Sequence, residues 1–421
     1  MEIHTDNAAL PPFLKLGLPE IIYAVPGIEC NLYFENVLDT AVYRNYTCEV
    51  RCDRGTQGEH RWFWTPEKSD AGAEFILELS VINDYGKLLC GKCKVLVASE
   101  AADPERKFTL SLLADSGVGC RYPDHILKVM QEYGFINYTP VGSHSGGGKM
   151  AAPGEAMHDG YGGFSWKCFL NRWWYSVEEL PEVQNEAEAE QMRSLGVVDI
   201  PKSNAYRLRS PLLKLVDGKV VADLPGWLTK INGGNAPDYI VIELGGNDIF
   251  MGRPETIEGQ TAQVMENAAK LLAELRKVAP QAIIGVTTCP LGCGQDGFGA
   301  NYNCIQSRYQ YRRNANYYNR ELTELVRKLG DERIMIVPIH QAIDPVDSYI
   351  MIETKAHARS SRSVIRFNNG LHPTREGGCQ IGDAIASWLI VREGRRNPAP
   401  NKANENCSAS NQSAGYSNGT H

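Results

Sequence analysis

The sequence predicts an α/β protein whose parallel sheet is covered by helices on both faces, preceded by a small all-β sandwich domain. From about residue 105 onward, short and continuously apolar runs alternate with segments of helical periodicity, which is typical of a parallel sheet. Residues 20–100 instead alternate apolar and polar side chains with the period of strands. We therefore expect an N-terminal extension at 1–20, an all-β domain at 21–102 and an α/β domain at 105–394.

The strands expected in the all-β domain lie in NYTCEVRC, AEFILELSV and KLLCGKCKVLV. Each of these segments alternates, and the turn signal at 83–86, Asn-Asp-Tyr-Gly, separates the last two. This pattern predicts a small antiparallel sandwich. No group of acids, bases or nucleophiles stands out in it, so we expect it to serve packing, linkage or substrate presentation.

The α/β domain is predicted from four buried strands and the helices that follow them. The strands are FTLSLLA, DYIVIE, AIIGVT and RIMIV; the helices are PDHILKVMQEYG, TAQVMENAAKLLAELRKVAP, SRYQYRRNANYYNRELTELVRKLG and GCQIGDAIASWLI. Residues 395–421 are rich in Asn, Ser and Gly with few apolar side chains, which predicts a disordered tail.

Composition limits the partners. The 421 residues include 43 basic and 50 acidic side chains, a net charge of −7, without a Lys/Arg cluster dense enough to follow a phosphate backbone. We therefore expect no nucleic acid partner. Since no run of about 18 apolar residues occurs, we expect no membrane span. The start shows no signal peptide, so a soluble, cytoplasmic protein is the default, with export and oligomeric state left open.

Twelve cysteines are many for a cytosolic protein, but they are spread along the chain. Four of them form two close pairs, Cys48/Cys52 and Cys90/Cys93, and four thiolates could bind zinc. Because Cys48 and Cys52 lie in an alternating strand pattern, buried thiols or a disulfide are favoured over zinc. We assign no metal site and expect no cofactor.

Three polar residues are expected at the carboxyl edge of the predicted sheet. Ser116 follows the first buried strand in Ala-Asp-Ser-Gly, Asn247 follows the second in Gly-Gly-Asn-Asp, and His372 lies in the last loop, FNNGLHPTREGG. Parallel sheets place their sites at the carboxyl ends of the strands. A serine there is a candidate nucleophile, an asparagine amide can stabilise an oxyanion, and a histidine can act as base.

At these residues the sequence resembles the SGNH, or GDSL-type, hydrolases, which are esterases and lipases on a flavodoxin-like three-layer α/β/α sandwich. The resemblance covers roughly 108–391. The family's Gly-Asp-Ser block appears as Ala114-Asp115-Ser116, its second block as Gly163 in HDGYGGFSW, its third as Gly245-Gly246-Asn247-Asp248, and its Asp-x-x-His-Pro block as Asn369 to Pro373.

The resemblance implies a nucleophile at Ser116, a base at His372, and an oxyanion hole formed by the Ser116 and Gly163 N–H groups with the Asn247 side chain. It also implies that residue 369 orients the histidine by accepting its Nδ1 proton. Asn369 stands there in place of aspartate. An asparagine oxygen can accept this hydrogen bond but brings no charge to stabilise the imidazolium. A carboxylate from elsewhere in the chain, Asp344 or Asp159, is therefore a further candidate for this role.

Aromatic residues near these blocks bear on the substrate, because aromatic rings can stack on sugars as well as fill cores. They are Trp166, Trp173, Trp174, Tyr175, Tyr309, Tyr311, Tyr317 and Tyr318. We expect a serine esterase that hydrolyses a small acyl ester, with acetyl first, on a carbohydrate. Two alternatives are a catalytically weakened carbohydrate-binding module and an acyltransferase that uses the same serine.

Overall fold

The computed structural model describes residues 14–99, 105–146, 151–171, 210–217 and 219–396. Its N-terminal part is a strand-rich region with one short helix, α1 (Phe34–Val37). The strands are β1 (Lys15–Leu16), β2 (Ile21–Ala24), β3 (Cys30–Tyr33), β4 (Leu38–Asp39), β5 (Thr47–Arg51), β6 (Thr56–Gln57), β7 (Arg61–Trp64), β8 (Glu74–Asn83) and β9 (Gly86–Val97). The three predicted strands are found as β5, β8 and β9, with the predicted turn between the last two.

These strands form three small sheets around one hydrophobic core. Their orders are β2-β9-β8-β5, β3-β7-β6 and β1-β4, and all pairs are antiparallel except β2 with β9. The core takes side chains from all three sheets, including Leu16, Leu32 and Leu79. Residues 14–20, expected in an extension, therefore pack with this region, since Leu14, Leu16 and Leu18 are buried in its core.

The second part contains a six-stranded parallel sheet. The strands of this sheet are β10 (Phe108–Ala114), β11 (Tyr138–Val141), β12 (Asp159–Gly160), β15 (Tyr239–Glu243), β16 (Ile283–Thr287) and β17 (Ile334–Val337). Two separate hairpins are formed by β13 (Leu213–Val216) with β14 (Lys219–Ala222) and by β18 (Met351–Lys355) with β19 (Ser363–Phe367). The sheet order is β11-β10-β15-β16-β17, and β12 extends the β11 side of β10. In chain order this is 2-1-3-4-5, the flavodoxin-like arrangement.

Helices cover both faces of this sheet. They are α2 (Tyr122–Glu132), α3 (Trp166–Asn171), α4 (Leu224–Asn232), α5 (Gly246–Ile249), α6 (Ile257–Val278), α7 (Gln295–Tyr302), α8 (Arg308–Leu329) and α9 (Arg375–Arg396). Side chains of α2 and α9 fill one core, and those of α4, α6 and α8 fill the other. The predicted three-layer α/β/α fold is confirmed. The last helix runs two residues beyond the predicted boundary at 394, and 397–421 lie outside the described residues.

The two parts of the chain contact each other through buried polar groups. The Asn36 amide, 3% exposed, donates to the carbonyls of His340 and Ile343 at 2.9 and 2.7 Å. Arg320 of α8 pairs with Asp39 at 2.8 Å. The strand-rich region is thereby fixed against the end of β17 and against α8. Within the described residues, no helix is long and apolar enough to cross a membrane.

The order of the strands determines where a site can form. The order in which the chain adds strands to the sheet reverses between β10 and β15, because β11 lies on one side of β10 while β15, β16 and β17 lie on the other. Open α/β sheets bind ligands in the crevice at this switch point. Ser116 follows β10 and Asn247 follows β15, so the two predicted site segments are neighbours at the crevice.

Candidate active site

Ser116 lies at a sharp turn directly after β10. Asp115 donates its backbone N–H to the Glu243 carbonyl at 3.2 Å, which continues the pairing of β10 with β15 for one more residue. The Asp115 carboxylate then accepts the Gly117 N–H at 2.8 Å and caps the 3-10 helix Ser116–Cys120. The turn thus ends the strand and leaves the serine at the carboxyl edge of the sheet.

His372 meets Ser116 across 256 residues of sequence. The Ser116 Oγ lies 2.9 Å from the His372 Nε2. With the imidazole proton on Nδ1, Nε2 accepts the serine hydroxyl proton, which is the geometry of a general base acting on a nucleophile. The loop that carries the histidine is held by the Cys293 N–H, which donates to Gly370 O at 3.0 Å, and by the Thr374 N–H, which donates to Ser348 O at 2.9 Å.

The Asn369 side chain forms a hydrogen bond with the backbone of His372, and not with its imidazole ring. The Asn369 Oδ1 accepts the N–H groups of Leu371 at 3.0 Å and His372 at 2.9 Å. This is the local capping that Asn and Asp side chains give to turns. In this structure, therefore, Asn369 fixes the chain that presents the imidazole, and its oxygen is not on the ring.

The two carboxylates considered as helpers are engaged elsewhere. Asp159 accepts the Trp227 indole N–H at 3.0 Å and the Tyr161 hydroxyl at 2.9 Å. Asp344 accepts backbone N–H groups from its own turn. Among all the residues that the structure describes, no carboxylate forms a hydrogen bond or ion pair with His372. Burial alone lowers the pKa of His372 from its ordinary value.

Asn247 also lies at the crevice, and both of its amide hydrogens have acceptors. Its Nδ2 donates to Asp115 Oδ2 at 3.1 Å and to the Phe164 carbonyl at 2.9 Å. For Asn247 to donate to an oxyanion, one of these hydrogen bonds must be exchanged. Gly163 precedes Phe164 in a turn and has a φ of 72°. The hydrogen bond from Asn247 to Phe164 therefore links the segment that contains Gly163 to the segment that contains Asn247.

Two buried carboxyl groups lie beneath the serine, and only one of them was part of a predicted motif. Burial raises the pKa of Asp115 to about 6, while the N–H groups of Gly117 and Asn247 oppose the rise. Burial, together with the charge of Asp115, raises the pKa of Glu243 well above its ordinary value. The Tyr122 hydroxyl lies 3.3 Å from Glu243 Oε2. Burial thus disfavours the charged form of Glu243, whereas the Asp115 carboxylate accepts N–H groups.

A pocket opens beside Ser116 and His372. Its remaining walls are mostly apolar or aromatic and come from Phe250, Cys289, Pro290, Tyr302, Tyr311, Leu371, Pro373 and Ile381, with Asp115, Glu243 and Asn247 at the polar end. Most of these wall residues belong to no sequence motif, so they could not be selected from the sequence. The arrangement suits a small group whose polar end faces the serine and whose apolar end faces the rings.

The aromatic residues considered for sugar stacking have different surroundings. Trp166 and Tyr318 are core residues, and the Trp166 indole donates to the Tyr318 hydroxyl at 2.8 Å. Tyr311 lines the pocket, and Tyr309 is 46% exposed on α8. Tyr317 packs at the margin of the core. Trp173, Trp174 and Tyr175 lie outside the described residues.

The cysteine pairs do not form a zinc site in the part of the chain that the structure describes. Cys48, Cys52, Cys90 and Cys93 are free thiols, on or next to β5 and β9. No described group of three or more His, Cys, Asp or Glu side chains is arranged to hold a metal ion. Burial raises the pKa of Cys48 and of Cys93 to about 12, so both thiols are protonated at neutral pH.

A serine hydroxyl hydrogen-bonded to a histidine, at the switch point of an α/β sheet, is the arrangement of enzymes that form acyl intermediates. Residues 179–385 match the family model described as GDSL-like Lipase/Acylhydrolase. This range is therefore similar to GDSL-like acylhydrolases, and the match supports an ester hydrolase domain. The matched range contains Asn247, Asn369 and His372, while Ser116 and Gly163 precede it and are brought to the site by the sheet.

Several solved structures are similar to the chain at low sequence identity. A carbohydrate esterase family 3 protein from Talaromyces cellulolyticus is 13% identical, with a TM-score of 0.38, covering 68% of this chain and 99% of its own. A family 3 carbohydrate esterase from Clostridium thermocellum is 13% identical, with a TM-score of 0.37, covering 68% and 98%. A family two carbohydrate esterase from Clostridium thermocellum, in complex with cellohexaose, is 12% identical, with a TM-score of 0.34, covering 88% and 94%. No curated protein sequence matches the chain.

The lowered pKa of His372 leads to a prediction about pH. A base must be neutral to accept the serine proton, so activity falls as pH drops through the pKa of His372. Because burial lowers this pKa, we expect the imidazole to titrate below about 6.5, the ordinary value for histidine. Asp115, with a pKa of about 6, titrates nearby, so the histidine is best followed directly by NMR in Ser116→Ala, with His372→Gln to assign its signal. A midpoint at or above 6.5 would contradict this prediction.

Proposed function

We propose that this protein hydrolyses esters of small acyl groups, acetyl first, carried on a carbohydrate alcohol, with Ser116 as nucleophile and His372 as base. The observation that supports it most is the 2.9 Å contact of Ser116 Oγ with His372 Nε2 at the pocket. In the first half-reaction Oγ attacks the ester carbonyl carbon and its proton passes to Nε2. The imidazolium then protonates the leaving alcohol, which leaves an acyl group on Ser116.

Water completes the reaction by the reverse sequence. His372 removes a proton from water, the hydroxide attacks the acyl carbonyl, and the proton returns to Ser116 Oγ as the acid leaves. The oxyanion in each half-reaction takes hydrogen bonds from backbone and amide N–H groups. We propose the Ser116 and Gly163 N–H groups and the Asn247 amide for this role, with Asn247 exchanging its bond to Asp115 for one to the oxyanion.

The pocket favours a short acyl group. Its walls include the buried side chains of Cys289, Tyr311 and Ile381, each 3% exposed, so a long acyl chain has no open path in that direction. A carbohydrate as the alcohol part fits the aromatic side chains at the pocket, of which Tyr302 and Phe250 are partly exposed and lie with ring centroids 4.6 Å apart.

Hydrolysis of a graded series of esters tests this proposal. We expect turnover of 4-nitrophenyl acetate to exceed that of the butyrate and octanoate, and acetate to be released from acetylated oligosaccharides. Product analysis with an added alcohol acceptor separates hydrolysis from acyl transfer. If the wild type turned over none of these esters but bound oligosaccharides, the binding-module alternative would replace the esterase.

Asn369→Asp gives a second prediction at this site. Aspartate can accept the same two backbone N–H groups that Asn369 Oδ1 accepts, and it adds a negative charge near the imidazole. A nearby negative charge favours imidazolium, so we expect the pKa of His372 to rise relative to the parent and the acidic limb of kcat/KM to move to higher pH.

The matched control is Asn369→Ala, which removes both hydrogen bonds without adding charge. We expect this control to lower the free energy of unfolding by about 1–3 kcal/mol and to leave the pKa of His372 below the ordinary value. An unchanged His372 pKa in Asn369→Asp would show that residue 369 acts on the backbone alone.

A further inference from the structure

The hairpin of β18 and β19 leads directly into the loop that carries His372. Its strands pair from Met351↔Phe367 to Lys355↔Ser363. At its base the Asn368 N–H donates to Ile350 O at 2.8 Å, and the Phe367 ring packs so closely on Gly294 that an added Cβ there would lie 2.5 Å from it. Gly294 caps α7, whose last residue, Tyr302, lines the pocket. The hairpin is therefore fixed to one wall of the candidate active site.

This hairpin is basic in a chain that is acidic as a whole. Residues 354–375 contain no Asp or Glu, although the chain has a net charge of −7. We call the hairpin 351–367 the basic arm. Its cations are Lys355, Arg359, Arg362 and Arg366, all exposed, and its one acidic residue is Glu353. Arg366 pairs with Asp296 at 3.4 Å. Within the described residues, the other three cations have no ion-pair partner.

The tip of the basic arm is an ordered turn. The Ala356 N–H donates to Arg362 O at 2.9 Å, the Ser360 N–H donates to His357 O at 2.9 Å, and the Arg366 guanidinium donates to Ala356 O at 3.1 Å. These bonds order a turn whose cations lie three to eleven residues apart in the sequence. Such positive groups attract carboxylates, with arginine suited to paired hydrogen bonds.

Apolar side chains lie exposed among these charges. Ile352 is 43% exposed and Ile365 is 72% exposed. Ile352 is opposite Arg366, and Ile365 is opposite Glu353 in the adjacent pair. Since neighbouring residues of a strand point to opposite faces, the arm presents an aliphatic side chain on each face. Cations beside aliphatic groups fit a polymer that offers carboxylates and the C–H faces of sugar rings.

We propose that the basic arm binds an acidic, carboxylate-bearing polysaccharide and holds the polymer across the pocket that contains Ser116. The proposal rests on the proposed function in one respect, that the bound polymer carries the ester. The charge of the arm and its attachment to the pocket wall favour a polymer substrate over a second copy of the chain, which would cover the arm but bring no ester to the serine.

Binding can be tested without hydrolysis. The full chain carrying Ser116→Ala is titrated with polygalacturonate and, for comparison, with neutral dextran of similar length. We expect binding of polygalacturonate that weakens with added salt and none of dextran. Adding Arg359→Gln and Arg362→Gln is expected to weaken the Kd for polygalacturonate about tenfold, an effect of the size of one strong ionic contact.

The matched control carries Arg44→Gln and Arg51→Gln, which remove two exposed arginines from the strand-rich region. It has the same net charge as the arm variant and should bind polygalacturonate like its parent. Equal binding by the arm variant and its parent would overturn the proposal, as would an equal loss in the control. Sedimentation that shows a dimer dissociated by the arm substitutions, without polygalacturonate binding by the parent, would assign the arm to self-association instead.

Hydrolysis of 4-nitrophenyl acetate separates this proposal from the proposed function. In the wild-type background the arm variant should hydrolyse this small ester at the parental rate, because Arg359 and Arg362 lie at the exposed tip, away from the contacts that fix the arm to the pocket wall. Polygalacturonate binding that depends on the arm, in a protein without esterase activity, would support the arm and reject the esterase. Esterase activity without arm-dependent binding would do the reverse.

Discussion

Replacing Ser116 by alanine is expected to lower kcat for 4-nitrophenyl acetate by about 10⁴-fold or more, since removal of a catalytic nucleophile has effects of this order. In the proposed mechanism Ser116 Oγ forms the acyl bond, and His372 Nε2, 2.9 Å away, accepts its proton. The fold should be unaffected, because the serine hydroxyl is not needed for the cap that Asp115 forms. The measurement is steady-state kinetics alongside circular dichroism.

The control for this prediction is a double-mutant cycle with His372→Ala. Residues that act as one unit lose activity together, so the double variant should be about as slow as either single variant. Multiplicative losses would mean that Ser116 and His372 do not act on the same step. Turnover in Ser116→Ala equal to the wild type would reject the serine as nucleophile.

The largest stability effect is expected at Gly245. This residue has a φ of 126°, which side chains rarely adopt, and an added Cβ would lie 2.5 Å from the ring of buried Tyr318. Tyr318 cannot easily move, because its hydroxyl donates to Leu244 O and accepts from Trp166. Strain and overpacking together lead us to expect that Gly245→Ala lowers the free energy of unfolding by about 2–6 kcal/mol. Urea denaturation measures it.

The neighbouring glycine provides a matched control. A Cβ at Gly246 would have its nearest contact at 3.4 Å, from the Tyr311 hydroxyl, and Gly246 has no unusual φ at the start of α5. We expect Gly246→Ala to change the free energy of unfolding by less than about 1 kcal/mol. Similar losses in both variants would mean that the turn tolerates neither side chain for a reason other than φ and the Tyr318 contact.

Much of the fold could be predicted from the sequence, and the exceptions have physical reasons. The central strands β10, β15 and β16 are buried on both faces, so they appear as continuous apolar runs. The edge strand β17 is half-buried in its middle, but all four of its residues are apolar. The strands β11 and β12 are only four and two residues long, and β11 contains Pro140. They lie at the edge of the sheet, where the hydrophobic pattern is weak.

Part of the candidate site could be predicted from the order of the strands. The carboxyl ends of parallel strands meet at one edge, so Ser116 and Asn247 could be placed together without coordinates. Sequence does not give the direction of a side chain. The Asn369 oxygen caps a turn, and the Asn247 amide is shared between Asp115 and Phe164, which only the structure shows. Glu243 gave one usable signal, a carboxyl group at the end of an otherwise apolar strand.

The absence of a carboxylate on His372, among the described residues, changes how the base is tuned. In serine proteases an aspartate fixes the tautomer and stabilises the imidazolium, and its replacement by asparagine lowers kcat about 10⁴-fold. Here burial lowers the pKa of His372, so the neutral base is the dominant form over a wider pH range. We infer that the neutral form of His372 is available at lower pH, and that the imidazolium formed during the reaction is less stabilised than in a site with an aspartate.

Covalent labelling of Ser116 tests the central proposal most directly. An organophosphonate with a 4-nitrophenoxy leaving group, incubated with the wild type, should release one equivalent of nitrophenol and add one phosphonyl group to Ser116 Oγ, located by peptide mass spectrometry. His372→Ala should label at least about 100-fold more slowly, because general-base assistance contributes about this much or more. Labelling at another residue, or equal labelling of His372→Ala and the wild type, would contradict a Ser116–His372 active site.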